Sequence, residues 1–179
     1  LGRMGRPYLH FLRSDLARHG FFDPPRPPKP DTPTVQLQLT NACNLACAYC
    51  CTNSGSRRAQ EVSYAAMLDV VQQIPAVLGA TTSVAILGGE PLLIPWALDL
   101  AEAITHLGLH LTLFTNGILL ADADVARTAA RLTQQGMQVR VSLGGVSPAS
   151  CDAISGNRRF DAALRGLHNL AAFGGTATV

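Results

Sequence analysis

The chain has 179 residues, 47% of them hydrophobic and 15% charged, and carries a formal net charge of +2. That is enough apolar material for one domain with a sizeable core, and it excludes a disordered or collagen-like chain. The near balance of 14 basic and 12 acidic residues projects no strong field, so neither a nucleic acid nor a membrane is expected as partner.

In chain order, a basic leader comes first. Arg3, Arg6, Arg13, Arg18 and Arg26 crowd it and Lys29 is the sole lysine; a solvated tail is the reading, with contact to an acidic partner as the alternative. Residues 23–33 are so rich in proline that helix and central strand are forbidden, which leaves an extended polyproline spacer or, second, a ligand for an aromatic groove. The segment 1–33 is therefore set apart from a domain over 34–179. Short apolar runs at Val35 to Leu39, Val84 to Leu87, Leu109 to Phe114 and Val139 to Leu143 read as strands, and a last one starts near Thr176.

Helical periodicity fills the intervals. Ser63 caps a helix with Met67, Val70, Val71 and Ile74 inward. Pro95 opens a second with Leu98, Ala101 and Ile104 inward, closed at Gly108. Asp122 or Asp124 caps a third with Val125, Ala129 and Leu132 inward, closed at Gly136. Asp161 begins a fourth with Leu164, Leu167 and Leu170 inward, closed at Gly174. The strands read as continuous apolar runs, which with this alternation predicts an α/β fold with a parallel sheet covered by helices. Strand starts recur about every 30 residues, as strand-helix-strand units require, except for a longer first interval that holds most of the cysteines.

No run is long enough to span a membrane and no leader with a signal-peptide pattern is visible, so a cytoplasmic protein is expected. Four of the five cysteines, Cys43, Cys47, Cys50 and Cys51, fall within one short stretch, a poor disulfide framework and a good metal cluster. Cys151 reads as a small buried thiol. Asp152 and the histidines His10, His19, His106, His110 and His168 show no metal spacing. The basic pairs Arg57–Arg58 and Arg158–Arg159 read as loop-solvating, with a grip on a peptide carboxylate as the alternative.

The functional loops of such a sheet follow the carboxyl ends of its strands. There the chain places Leu39 to Cys50, then Gly88-Gly89-Glu90-Pro91, then Thr115-Asn116-Gly117, then Ser142-Leu143-Gly144-Gly145. Three thiolates at the spacing of Cys43, Cys47 and Cys50 suit a cubane iron-sulfur cluster with one iron left open; a zinc site completed by Cys51 or a distant histidine stays as the other reading.

Cys43, Cys47 and Cys50, with Tyr49 before the last, resemble the signature loop of the radical SAM superfamily. Gly88-Gly89-Glu90-Pro91 resembles its second motif, and Leu39-Thr40-Asn41, Thr115-Asn116-Gly117 and Val141-Ser142-Leu143 resemble the branch that matures peptides and sulfatases. The resemblance implies a (β/α)6 TIM-like barrel, here partial and stopping at the start of the fifth strand, because residues 34–179 hold between four and five units of about 30 residues. It implies a four-iron four-sulfur (4Fe-4S) cluster on Cys43, Cys47 and Cys50, with S-adenosyl-L-methionine chelating the fourth iron. Gly88 and Gly89 admit its methionine end, Glu90 accepts from its ammonium, Ser142 donates to its carboxylate and Tyr49 lies beside its adenine. Reductive cleavage then yields a radical that takes hydrogen from the substrate.

The partners implied are a peptide or protein substrate, an external electron donor and a partner chain that completes the barrel. Gly144 stands where that branch usually has Asp, and Ser155 where it commonly has Arg. A degenerate cluster-binding subunit without radical chemistry and a zinc-stabilised interaction module are the alternatives carried.

Overall fold

The computed structural model describes residues 32–55, 62–145, 147–155 and 159–179. The basic and proline-rich leader, apart from Thr32 and Pro33, lies outside the described residues, and so do Arg57, Arg58, Gly156 and Arg158.

Four strands form the sheet: β1 (Thr34–Gln38), β2 (Ser83–Leu87), β3 (His110–Thr115) and β4 (Gln138–Val141). All three pairings are parallel, in the sequential order β1-β2-β3-β4, with Val35 opposite Val84, Val84 opposite Leu111 and Leu113 opposite Val139. Sequential order without a reversal is how a barrel is wound, unlike a doubly wound sheet with its switch point. The fold is α/β, a partial barrel. At the far edge Thr178 bridges Arg140: Val141 N donates to Thr178 O at 2.8 Å and Thr178 N to Val139 O at 2.9 Å.

The helices are α1 (Tyr64–Leu78), α2 (Ala97–His106), α3 (Ala123–Gln134), α4 (Pro148–Ser155) and α5 (Phe160–Ala172). No described helix is long and apolar enough to cross a membrane. Ser63 caps α1 by accepting from Ala66 N, and Asp122, rather than Asp124, caps α3 by accepting from Asp124 N and Val125 N. The second helix starts at Ala97, not Pro95, because residues 91–93 first make a 3-10 turn. Asp152 accepts from Arg159 N and Phe160 N, so a side chain from α4 caps α5.

The strands correct one expectation. Only β2 is a continuous apolar run; β1, β3 and β4 alternate. Leu37, Val84, Ile86, Leu111, Leu113 and Val139 point into a core shared with Met67, Val71, Leu100, Ile104, Leu132 and Leu170 of the helices. Each such side chain is worth about 1.5–3 kcal/mol on burial. The alternate positions, Gln36, Ser83, Thr112 and Arg140 among them, face a cavity instead and carry polar groups.

Two helical phases also differ. Val70 is 48% exposed while Met67, Val71 and Ile74 are buried. In α5 the inward positions are Ala163, Gly166 and Leu170, with Leu164 exposed. The reason is close approach: a Cβ on Gly166 would lie 2.3 Å from Gly117 O, so only a residue without a side chain lets α5 sit against the loop after β3.

Candidate functional site

Beyond the end of β1 the chain does not leave the sheet at once. Leu39 N donates to Leu87 O at 3.0 Å, Gly89 N to Thr40 O at 2.8 Å and Glu90 N to Ala42 O at 2.9 Å, so the parallel ladder continues into both loops. The approach is tight enough to require glycine. A Cβ on Gly88, whose φ is +151°, would stand 2.6 Å from Thr40 O, and one on Gly89 would stand 2.1 Å from Ala42 O. The glycines therefore fit against the cysteine loop's own backbone.

The cysteine loop is held at further points. Cys43 N donates to Gly55 O at 2.8 Å and Gly55 N to Asn41 O at 3.1 Å, while Ala46 N and Ala48 N donate to Ser155 O and Ile154 O of α4. The result is a cavity of about 560 Å³ whose wall includes Cys43, Cys47, Cys50, Tyr49, Gly88 and Gly89. Cys51 also reaches it and is exposed, whereas Cys151 is buried elsewhere.

Burial pushes the Cys43 thiol above its ordinary pKa, against a backbone hydrogen bond at Leu45 and with the help of the negative charge on Glu90. The Cys50 thiol is drawn down by its contact with the Thr52 hydroxyl at 3.3 Å and by Ser54 N, which donates to it at 3.3 Å. Among the described residues no three His, Cys, Asp or Glu side chains stand at single-ion coordinating distance. The described wall offers only thiols as soft donors, with no histidine or carboxylate. An all-sulfur donor set of three half-buried cysteines fits an iron-sulfur cluster in its chemistry.

Glu90 stands apart from the other expected site residues. It is fully buried and absent from the cavity wall. Its Oε1 accepts from Leu92 N at 3.1 Å and Thr115 Oγ1 at 2.7 Å, and its Oε2 accepts from Asn116 N at 2.7 Å. Burial raises its pKa, and those three donors oppose the rise. The carboxylate thus knots the loop after β2 to the loop after β3.

Asn116 extends the knot, donating from Nδ2 to Asn44 Oδ1 at 2.7 Å and so reaching the cysteine loop. Ser142 lies on the cavity wall with its backbone N–H donating to Thr115 O at 2.9 Å, and Tyr49 is 60% exposed at the rim. Arg159, read from sequence as half of a solvating pair, is instead buried and on the wall. Nothing in the local pattern announced it, since its burial comes from packing between α4 and α5.

The family model described as "Radical SAM superfamily" matches residues 37–179. Mycofactocin maturase MftC of Mycobacterium tuberculosis is 36% identical over 139 residues, covering 76% of this chain and 34% of that protein. A GTP 3',8-cyclase of Picosynechococcus is 33% identical over 131 residues, covering 69% and 38%. Among solved structures, Streptococcus suis SuiB bound to S-adenosylmethionine matches with a TM-score of 0.68 at 20% identity, over 98% of this chain and 39% of SuiB. SuiB bound to the precursor peptide SuiA matches equally well, with a TM-score of 0.68. The chain spans about a third of the length of the curated relatives it matches.

Proposed function

The chain belongs to the radical SAM superfamily, whose enzymes use a 4Fe-4S cluster and S-adenosylmethionine, and from that premise we propose that it is the cluster- and cofactor-binding part of an enzyme that modifies a peptide or protein side chain. One observation carries the reading: Cys43, Cys47 and Cys50 share one cavity wall with Gly88 and Gly89 at the carboxyl end of a parallel sheet. The maturase relative supports the substrate class, and the SuiB–SuiA complex is a fold neighbour that holds a precursor peptide. The cyclase relative shares the superfamily and leaves the substrate to be decided by experiment.

In this reading Cys43, Cys47 and Cys50 would hold the cluster, which when bound would supply one-electron reduction of S-adenosylmethionine and, through it, hydrogen-atom abstraction from the substrate. The chain's own contribution is placement and exclusion of water. Ser142, exposed at the end of β4, donates to the cofactor's carboxylate, and Tyr49 covers its adenine. Glu90, expected to accept from the cofactor's ammonium, would act from behind the wall instead: three of its roughly four acceptor positions are taken by loop donors, which hold the loops after β2 and β3 together.

Anaerobic reconstitution tests the assignment. The protein should take up about four irons with matching sulfide, and Ala at Cys43, Cys47 or Cys50 should abolish the cluster while Ala at Cys51 leaves it. Adding S-adenosylmethionine should perturb the electron paramagnetic resonance spectrum of the reduced cluster. Equal loss at Cys51 would overturn the ligand set, and a spectrum unmoved by millimolar cofactor would favour a cluster-binding subunit without radical chemistry.

A further inference from the structure

The cavity runs down the sheet, from the thiols at its carboxyl end to Thr34 and Ser83 at the strand starts. Ser83 to Leu87 is four steps of about 3.3 Å, so this trough descends about 13 Å along β2. Of the strand residues on its described wall all but one are neutral, Thr34, Gln36, Ser83 and Thr112 being polar without charge. The exception is Arg140 of β4. The described wall holds no carboxylate to answer it.

Arg140 is exposed, and among the described residues no carboxylate pairs with it; the ion pairs there are Arg127 with Asp124 and Arg131 with Glu102, on helices. It is not loose either. Its guanidinium carbon lies 5.7 Å from the centroid of the Phe114 ring, which is its register partner on β3 and also on the wall. A ring at that distance attracts the cation and restrains a long side chain, so less freedom remains to be lost when the guanidinium meets an anion. Arg140 stands two residues before Ser142 on the same strand, about 7 Å deeper in the trough. The cation therefore lies below the mouth.

We propose that Arg140, braced on Phe114, is a specificity-determining residue that binds a carboxylate side chain, Asp or Glu, of the peptide substrate. The assignment rests on the function proposed above and names the substrate feature read by that same cavity. A neutral side chain at this depth would take the guanidinium out of water with no charge to meet it, whereas a carboxylate presents two oxygens to its planar fork. A phosphate fits less well, because one guanidinium among neutral neighbours balances one charge and a phosphate carries nearly two.

Arg140 is exposed, so its replacement spares the core, and thermal melting verifies that each variant is folded. Alanine pentapeptides with blocked termini and a central Glu, Gln or phosphoserine are titrated by nuclear magnetic resonance into the reconstituted protein and into the cluster-free full chain. Wild type should bind the Glu peptide about tenfold more tightly than the Gln peptide, as one charge-assisted hydrogen bond implies. In Arg140→Gln the preference should vanish; in Arg140→Lys, which keeps the charge without the fork, part of it should remain.

Equal binding of the Glu and Gln peptides by wild type, no binding of the Glu peptide at millimolar concentration, or a preference that survives in Arg140→Gln would overturn the assignment. Tighter binding of the phosphoserine peptide than of the Glu peptide would overturn it too. The two readings fail separately. A protein that assembles no cluster loses the function proposed above while the cluster-free titration still decides Arg140, and one that assembles a cluster responsive to S-adenosylmethionine but treats Glu and Gln alike keeps that function and loses this site.

Discussion

Gly89→Ala is the sharpest test of how the site is held. The added Cβ would lie 2.1 Å from Ala42 O, 2.6 Å from Ala42 C and 3.0 Å from Asn41 O, all backbone atoms that cannot swing aside. The two loops must part, and the bonds Gly89 N to Thr40 O and Glu90 N to Ala42 O go with them. Two backbone bonds at about 1 kcal/mol net each, with about 1–3 kcal/mol of overpacking strain, give a loss of about 3–5 kcal/mol. At about 2–4 °C per kcal/mol for a domain of this size, the melting temperature should fall by about 6–20 °C.

Urea unfolding of the reduced, cluster-free protein measures it, with Gly55→Ala as the control. Gly55 has nothing within 4 Å of its added Cβ among the described residues and no left-handed φ, so that variant should lie within about 1 kcal/mol of wild type. A Gly89→Ala protein as stable as wild type, or one no worse than Gly55→Ala, would refute the argument that close approach demands the glycine.

Other outcomes follow from the same structure. Leu113→Ala, at a fully buried position under the helices, should cost about 2–5 kcal/mol in urea with an unchanged slope. Asp122→Ala should cost about 1 kcal/mol by uncapping α3, and Asp122→Asn should restore most of it, as read by thermal melting. Glu90 has a folded pKa above its ordinary value, so its contribution is complete below that ordinary value and is lost as pH rises through the raised one. The stability of wild type relative to Glu90→Gln, which does not titrate, should therefore shrink as pH rises above the ordinary carboxyl range in urea titrations; a gap that widens would contradict the burial account.

What the sequence disclosed depended on whether local spacing carried the information. The three cysteines and the Gly-Gly-Glu-Pro turn are contiguous motifs, and the alternation of strand and helix has a period, so both were legible. The polar face of the sheet was not: Thr34 and Gln36, or Thr112 within His110–Thr115, look like noise in a short apolar run until one face is seen to be uncovered. Glu90 stands out in the sequence as part of the Gly-Gly-Glu-Pro turn, but its three donors come from residues 92, 115 and 116, two of them distant in sequence. Arg159 and Gly144 come together only in the folded chain: the motif marks Gly144 as a departure, but nothing in the sequence pairs it with Arg159.

The ladder that runs past β1 and β2 makes the cysteine loop an annex of the sheet. It has little apolar interior of its own, Leu45 and Ala42 excepted, and its shape is set by amides that pair with Leu87, Gly89 and Glu90. A segment anchored in this way opens only when its anchor does. Amide exchange at Gly89 and Glu90 then belongs to the slow, global class of motion, not to loop fraying. In the function proposed above, a cluster would load into a receptacle already shaped by the strand pairing of β1 and β2.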